Sequence, residues 1–495
     1  SKFEGGADMN KMTVSVPMFK AAFDENKIDA NLFMNNLMYD PYLKSRILAY
    51  IDLATLKNYI PTAEGESYNG TLDADIDIDG RMSALEAGDF ESFKAKGVLL
   101  LSDMVYESSS MPDKVAIDKM KFTFAPQQLT LDQLDAKMGT SDFHMDGKID
   151  NYFGYMLRDE VLKGNFNYAS NYLDADGLMK DFDSGEPETT ASEEVPATES
   201  EEVILIPGNI DFALNSKINT LRYNNLDFKN VSGDITLKDE VASIENLKMD
   251  AMGGKIGMKG SYDTKDHATP KLDFGYSLSG IDINTLATNF LTVEKLAPIS
   301  KFAFGKISSD FDMTTDLTAG FSPILSSLTS VGDLRSNALT VKNIKVLEKI
   351  ESVTKLKDLS NQKLDNFKTK FTINDGKVAL LPFDVKLGQI NSNVSGYTTL
   401  DQKMNYDFKM DVPKEMIPAS MIKEVEKTMS KLNSLVPNLD VGKLPAVIPV
   451  KVNAAGDAKN PKITTDFKEA ILKATGDFKD DLSLVTLSIF SKTLM

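Results

Sequence analysis

The residues best spaced for chemistry are Asp75, Asp77 and Asp79, followed by Gly80 and by Glu86 at the twelfth position. That spacing matches a calcium-binding EF-hand loop, with three alternate carboxylates, a glycine for the sharp turn and a closing glutamate, all hard oxygen ligands. The same stretch has a plainer reading. Leu72, Ala74, Ile76 and Ile78 alternate with the acids, which gives a β-strand with one wet and one apolar face, whereas an EF-hand needs a helix on either side. The strand is the working expectation, and calcium at Asp75, Asp77, Asp79 and Glu86 is the alternative.

Little else could support catalysis. His144 and His267 are the only histidines, and cysteine is absent. His144 falls on the polar side of an alternating strand, His267 lies in the turn-like YDTKDHATP, and neither has a local partner at a usable spacing. Without a thiol or a nucleophile elbow, acid–base and metal-assisted mechanisms have little to build on. The glycines at 253–254 and 257–260 follow a strand but open no helix, so they read as sheet bends, not a phosphate loop. The chain reads as a non-enzyme that needs no cofactor.

The composition narrows the partners. A net charge of −18 argues against nucleic acid, which is held by clustered Lys and Arg, and leaves no basic patch for anionic lipid heads. No apolar run is long enough to span a bilayer as a helix. The chain opens on Ser1 with no charged-then-apolar leader, and so reads as a processed or trimmed product whose anchor would lie upstream.

The elements that would position any site are repeated. LTLDQLDAKMGTSDFHMDGKID (129–150), ASIENLKMDAMGGKIGMKGSYD (242–263) and VALLPFDVKLGQINSNVSGYTT (378–399) superpose without gaps on Gly147, Gly260 and Gly396. Leu131, Ile244 and Leu380 then share one column, and Leu134, Leu247 and Phe383 another. The copies are too far apart for a helical solenoid and suit blocks of antiparallel strands. Period-two alternation continues in KLDFGYSLSG and KMNYDFKMDV. Helical signals are few. YIDLATL, YLDADGL and GIDINTL each run a strand into Asp52, Asp174 or Asp282, which can cap a helix. Longer helices are expected at 345–362 and 414–435.

The expected fold is mainly β with peripheral helices, in which repeated antiparallel strand blocks form a long, twisted, curled sheet with an apolar groove. The expected divisions are a β-rich block at 1–182, a disordered acidic linker or insert at 183–202, a middle β-repeat block at 203–331 and a C-terminal region at 332–495. The segment 183–202 is acidic, rich in Ser, Thr and Pro, and nearly free of large apolar side chains, so it cannot offset its ordering entropy.

The helix VLEKIESVTKLKDLSN, the strands FKTKFTINDGKVALLPFDVKLGQINSNVSGYTTLDQKMNYDFKMDVP and the late VKVNAAGDAKNPKITTDFKEAI together resemble the C-terminal region of the AsmA-like family of bacterial envelope proteins, related to TamB-type bridge-like lipid-transfer proteins. The resemblance implies a periplasmic module of a Gram-negative bacterium, tethered to the inner membrane by a segment this chain lacks. It also implies a curved β-groove carrying phospholipid or another acyl lipid for outer-membrane biogenesis, with inner- or outer-membrane proteins as partners. The chain departs from that pattern in lacking the anchor and in being short for a full bridge.

The expected groove lining is Phe143, Met145, Phe166, Tyr168, Ile256, Met258, Leu272, Phe274, Tyr276, Leu278, Met404, Tyr406, Phe408 and Met410. Met, Phe, Leu and Tyr suit a fluid acyl chain better than a tightly packed β-branched core would. The alternative is a structural or adhesive β-repeat protein with dry cores and a protein partner.

Overall fold

A computed structural model describes residues 2–4, 12–59, 65–109, 111–183, 203–290, 293, 297–399, 401–435 and 444–475. The chain forms two compact units. One comprises Ser1–Ala251 with Ile256–Phe274 and Asp316–Ser322, and the other Met252–Lys255 with Gly275–Thr315 and Pro323–Met495. Both are mainly β with a few peripheral helices, and in both the antiparallel strands pair in chain order without closing into a barrel among the described residues.

The first unit contains β1 (Lys2–Glu4), β2 (Thr13–Phe23), β3 (Asn26–Asn35), β4 (Tyr42–Asp52), β5 (Ser67–Arg81), β6 (Lys94–Ser108) and β7 (Met111–Phe124). It continues through β8 (Gln128–Met138), β9 (Ser141–Asp150), β10 (Leu162–Asp174), β11 (Ile210–Tyr223), β12 (Leu226–Lys238) and β13 (Val241–Ala251). β14 (Gly254–Asp263) and β15 (Lys271–Asp282) contribute residues to both units. The second unit holds β16 (Ala303–Asp316), β17 (Thr329–Val341), β18 (Gln362–Asn374), β19 (Lys377–Leu387), β20 (Ile390–Thr399), β21 (Lys403–Pro413), β22 (Val447–Asp457) and β23 (Lys462–Thr465).

One junction departs from the antiparallel rule. β10 and β11 pair in parallel, Leu162 opposite Ile210 through Asp174 opposite Arg222. A parallel neighbour requires a long crossover, and the connection between these strands is long because it contains the acidic segment. The expected linker at 183–202 lies outside the described residues except for Asp183, which closes the helix Ala175–Asp183. The strands flanking it, β10 and β11, belong to one unit.

The three aligned stretches fold alike. Each is an eleven-residue strand, a two-residue turn and a ten-residue strand: β8–β9, β13–β14 and β19–β20. Gly147, Gly260 and Gly396 are each the seventh residue of the ten-residue strand. A fourth copy, β2–β3, has the same lengths but went unrecognised because Leu32 fills the glycine column.

The apolar i, i+3 spacing in the longer strands marks a β-bulge. Leu131 faces Gly147 and Leu134 faces Met145; Leu380 faces Gly396 and Phe383 faces Val394; Val16 faces Leu32 and Phe19 faces Ala30. Three steps on one strand oppose two on its partner. The extra residue returns both apolar side chains to the same face.

Each module then adds a strand that ends in a capped helix. Asp52, Asp174 and Asp282 accept bonds from the N–H groups of Ala54, Gly177 and Thr285 at 3.0, 3.0 and 2.8 Å, as the strand–Asp–helix formula requires. The N–H of each capping Asp is in turn bonded to its own hairpin. Asp52 donates to Asn26 Oδ1 at 2.6 Å, Asp174 to Ser141 Oγ at 3.0 Å and Asp282 to the Met252 carbonyl at 3.1 Å. In the last module Pro413 stands at the strand end and caps with no side-chain bond.

The longer helices are shorter than expected. Lys345–Thr354 stops at Lys355, which takes a left-handed conformation (φ 60°). The expected helix at 414–435 splits into a 3-10 turn at Lys414–Met416 and the helix Ala419–Leu435. Pro418 holds Ile417 extended between them.

The repeated glycines have a packing reason. Gly147 pairs with Phe166 and Gly396 with Tyr406, and a Cβ on either would lie within 2.6 Å of that aromatic ring. Gly260 lies near Phe274 in the same way, with more room. In the first module Leu32 pairs with Ser45, so a large residue on one strand is matched by a small one on the other. We expect Gly147→Leu to destabilise the protein by about 1–3 kcal/mol through overpacking, and Gly147→Leu/Phe166→Ser, which copies the first module, to recover part of that loss. Urea unfolding of the two single variants and the double variant measures the coupling; strictly additive effects would show that the pair is not a unit.

Candidate functional site

In the first unit the register gathers the apolar side chains onto one face. One row runs Ile28, Ala49, Ala74, Leu99, Phe122, Leu131, Gly147, Phe166, Leu214, Ile235, Ile244, with each residue opposite the next from β3 to β13. The neighbouring row runs Ile51, Leu72, Leu101, Met120, Leu134, Met145, Tyr168. Cross-strand neighbours cover one another's flanks: Ile51, Leu101 and Leu131 are buried, as is the Tyr168 hydroxyl, while Leu99, Phe122, Phe166, Leu214 and Ile235 are half-buried.

The covering elements of this face lie at its ends. At the end where β4 begins, Met82, Phe93, Tyr152 and Phe153 form a buried cluster against Leu43, Ile78, Phe124, Leu129 and Ile149. Tyr152 donates from its hydroxyl to the Ala125 carbonyl at 2.9 Å, and burial pushes its pKa up. At the opposite end lie the short helices Leu53–Leu56, against β5, and Ala175–Asp183, against β7 and β11. Between them the described helices leave the apolar floor uncovered.

The reverse face carries charges beside exposed apolar side chains such as Leu48 and Tyr50. Asp75, Asp77 and Asp79 project from β5 toward cations: Arg46 pairs with Asp75, Lys44 Nζ lies 2.8 Å from Asp79, and Asp77 stands opposite Arg46 and Lys96. Hydrogen bonding by Lys44 holds Asp79 below the usual carboxylate range. Glu86 ends a helix and pairs with Arg158. The four residues of the calcium alternative thus lie along a strand and at a helix end, each beside a cation, and are not wrapped around a loop. Among the described residues no group of three or more metal-ligating side chains is placed to hold an ion. A shallow cleft of about 730 Å³ crosses β2 to β6 beside Leu48, Tyr50, Val98, Leu100, Lys20 and Asp75. None of the expected groove residues borders it.

The expected lining falls into different environments. Phe143, Met145, Phe166 and Tyr168 share the uncovered floor and are half-buried. On β14, Ile256 is buried and Met258 half-buried; on β15, Leu272, Phe274 and Tyr276 are half-buried and Leu278 is buried.

In the second unit Met404, Phe408 and Met410 are buried at 6%, 8% and 1% exposure, with Tyr406 half-buried beside them. Their partners on β22, Val450 and Val452, are 1% exposed. The helices Lys345–Thr354 and Phe467–Thr475, which pack against β23 and β22, bury Leu347, Ile350, Phe467 and Ile471. This face is a closed core. Sequence reasoning overlooked the floor residues of β4 to β7. In Val98-Leu99-Leu100-Leu101 both parities are apolar, which hides the alternation.

His144 has the partners its local sequence did not suggest. Its Nδ1 lies 2.6 Å from Asp135 across the hairpin and its Nε2 3.0 Å from Asp142 on its own strand. Hydrogen bonding to Asp135 raises the imidazole pKa against the opposing effect of burial. Burial also pushes Asp142 up, but the N–H groups of Tyr172 and Asn171 outweigh it and hold the carboxyl well below its usual range. His267 lies 3.0 Å from Glu240.

No protein-family model, no curated protein and no solved structure matches this chain. Among the described residues no helix is long and apolar enough to cross a membrane.

The His144 cluster predicts a pH signature. A raised His pKa contributes stability that is full below the unfolded value of about 6.5 and is lost as pH rises through the folded value. The depressed Asp135 and Asp142 contribute above about pH 4 and lose that contribution on acidification. His144→Gln should therefore lower the melting temperature at pH 5.5 and have little effect at pH 9. The size is about 1 kcal/mol or less, because the imidazole is 44% exposed and solvent screens the pair. An equal deficit at both pH values would exclude the ion-pair account.

Proposed function

We propose that the chain is a lipid-binding or lipid-transfer module of the bacterial envelope, with the uncovered apolar floor of the first unit as its acyl-chain surface. The observation that carries this reading is the unbroken row from Ile28 to Ile244, half-buried along much of its length and capped only at its ends. An acyl chain laid on such a surface avoids about 0.8 kcal/mol per CH₂ otherwise left in water. Hydrocarbon can move between bilayer and protein at small net cost, with head groups kept toward solvent. The resemblance to AsmA-like and TamB-type proteins supports the periplasm as the compartment, phospholipid as the cargo, and inner- or outer-membrane proteins as partners.

The second unit favours a different role. Its dry core around Met410, Val412 and Ile448 suits a structural β-repeat with a protein partner, so that unit is read as the scaffold or docking part of the same module.

Two substitutions separate a wet floor from a dry core. Met145→Lys places its ammonium at a half-exposed site from which it can reach water, so the variant should keep its circular dichroism spectrum and melting temperature while losing bound lipid. Met410→Asp buries an unpaired charge at a cost of several kcal/mol and should unfold its unit. Solvent extraction and mass spectrometry of purified wild type and Met145→Lys give the readout. A wild-type protein that carries no lipid, or a Met145→Lys variant that unfolds as Met410→Asp does, would turn the reading to the structural alternative.

A further inference from the structure

Three connections meet at the end of the first unit where β4 begins: residues 36–41, 87–93 and 151–161. They are tied together. Met82 N donates to the Pro41 carbonyl at 2.9 Å and Ser83 N to Asp40 Oδ1 at 2.9 Å. Arg158 pairs with Glu86 and donates to the Tyr39 carbonyl at 3.3 Å. Phe93, Tyr152 and Phe153 anchor the connections from below in one buried cluster.

On this fixed base the outermost side chains are large and apolar. Tyr39 is 74% exposed, Met156 73%, Met38 61%, Val161 41% and Phe90 39%. Exposed apolar residues scattered singly are ordinary. These five stand on adjacent connections at one end of one sheet, adjoining the apolar floor.

We propose that this end is a bilayer-docking tip that inserts Met38, Tyr39, Phe90 and Met156 into the interfacial region of a membrane. The inference rests on the lipid-binding reading and adds where that module meets its membrane. Two features favour a bilayer as the occupant. The exposed side chains come from three connections at the end of the apolar floor, and a Tyr beside Met and Phe is suited to the water–hydrocarbon boundary. The charge on the connections also selects the lipid. Asp40, Asp89, Glu91, Asp159 and Glu160 stand against two bases, Arg158 and, 3.7 Å from Asp40, Arg81, an acidic excess that disfavours anionic head groups relative to neutral or zwitterionic ones.

The chain contains no tryptophan, so Tyr39→Trp in the full chain is a single, interface-compatible reporter. Its emission should shift to the blue on addition of phosphatidylcholine vesicles and be quenched by bromine-labelled acyl chains. Replacing about a third of the lipid by phosphatidylglycerol should weaken the response through the acidic rim. On the same background Met38→Ser/Met156→Ser should reduce vesicle partitioning by about tenfold or more, while Met179→Ser/Tyr223→Ser at the opposite end should leave it unchanged. Emission that ignores vesicles, that shifts only with anionic lipid, or that shifts with protein concentration in their absence would overturn the proposal, the last pointing to a second copy as the occupant. Lipid extraction keeps the two readings separate. Bound lipid without docking overturns the tip alone, and docking without bound lipid overturns the groove alone.

Discussion

The backbone hydrogen-bond ladder is the constraint on which the rest of this structure depends. Once two strands are in register, every side chain is committed to one face or the other, and a slip of one residue would exchange apolar for polar along the whole strand. The protein meets that constraint with a bulge at the same place in at least three hairpins, between the fourth and seventh residues of β2, β8 and β19. Without it, Val16 and Phe19, Leu131 and Leu134, or Leu380 and Phe383 would point to opposite faces. The bulge therefore lets a sequence with an i, i+3 apolar pair keep a one-sided sheet. The unbroken apolar rows of the first unit depend on that repeated correction.

One-sidedness creates the second problem, which the two units solve differently. In the second unit helices supply apolar residues of their own, and the β21–β22 face becomes a closed core whose central side chains are almost inaccessible. In the first unit the helices are too short and too peripheral to do this. The floor is shielded laterally by neighbouring strands, and the described helices lie at its ends. Apolar surface left in water is a standing free-energy cost. The polar groups of this unit lie mostly on the reverse face, held in cross-strand ion pairs such as Lys20–Asp29 and Lys44–Asp79.

What could be read from the sequence follows from which forces act locally. The capping aspartates were legible because a strand-ending Asp and the first helical N–H groups are separated by only two or three residues. Gly147, Gly260 and Gly396 were legible as a column, but not the reason for them, since Phe166 and Tyr406 lie on the next strand, beyond an intervening turn or helix. The first module escaped notice because the matched pair is exchanged, with Leu32 over Ser45 where other modules put glycine under an aromatic ring. The Asp135–His144 contact was hidden for a similar reason, being a cross-strand neighbour whose register depends on the bulge. The division of the apolar faces into covered and uncovered was not legible at all. Alternation states that a face is apolar and says nothing of what lies above it.

The exchange between Leu32–Ser45 and the glycine–aromatic pairs bears on what the repeat preserves. If the modules were held together by dry packing alone, a void left by Ser45 could be filled from a layer above, and no compensation within the sheet would be required. The observed matching occurs between adjacent strands of the sheet itself, so the height of the surface is set there. A ring lying across a glycine keeps the apolar surface low and smooth, and a leucine beside a serine gives a comparable profile with different residues. A surface levelled by its own strand pairs does not need a unique covering element to fill it. The matching occurs in both units, Gly147 with Phe166 in the first and Gly396 with Tyr406 in the second; what differs is that in the second unit helices also bury apolar residues over the sheet.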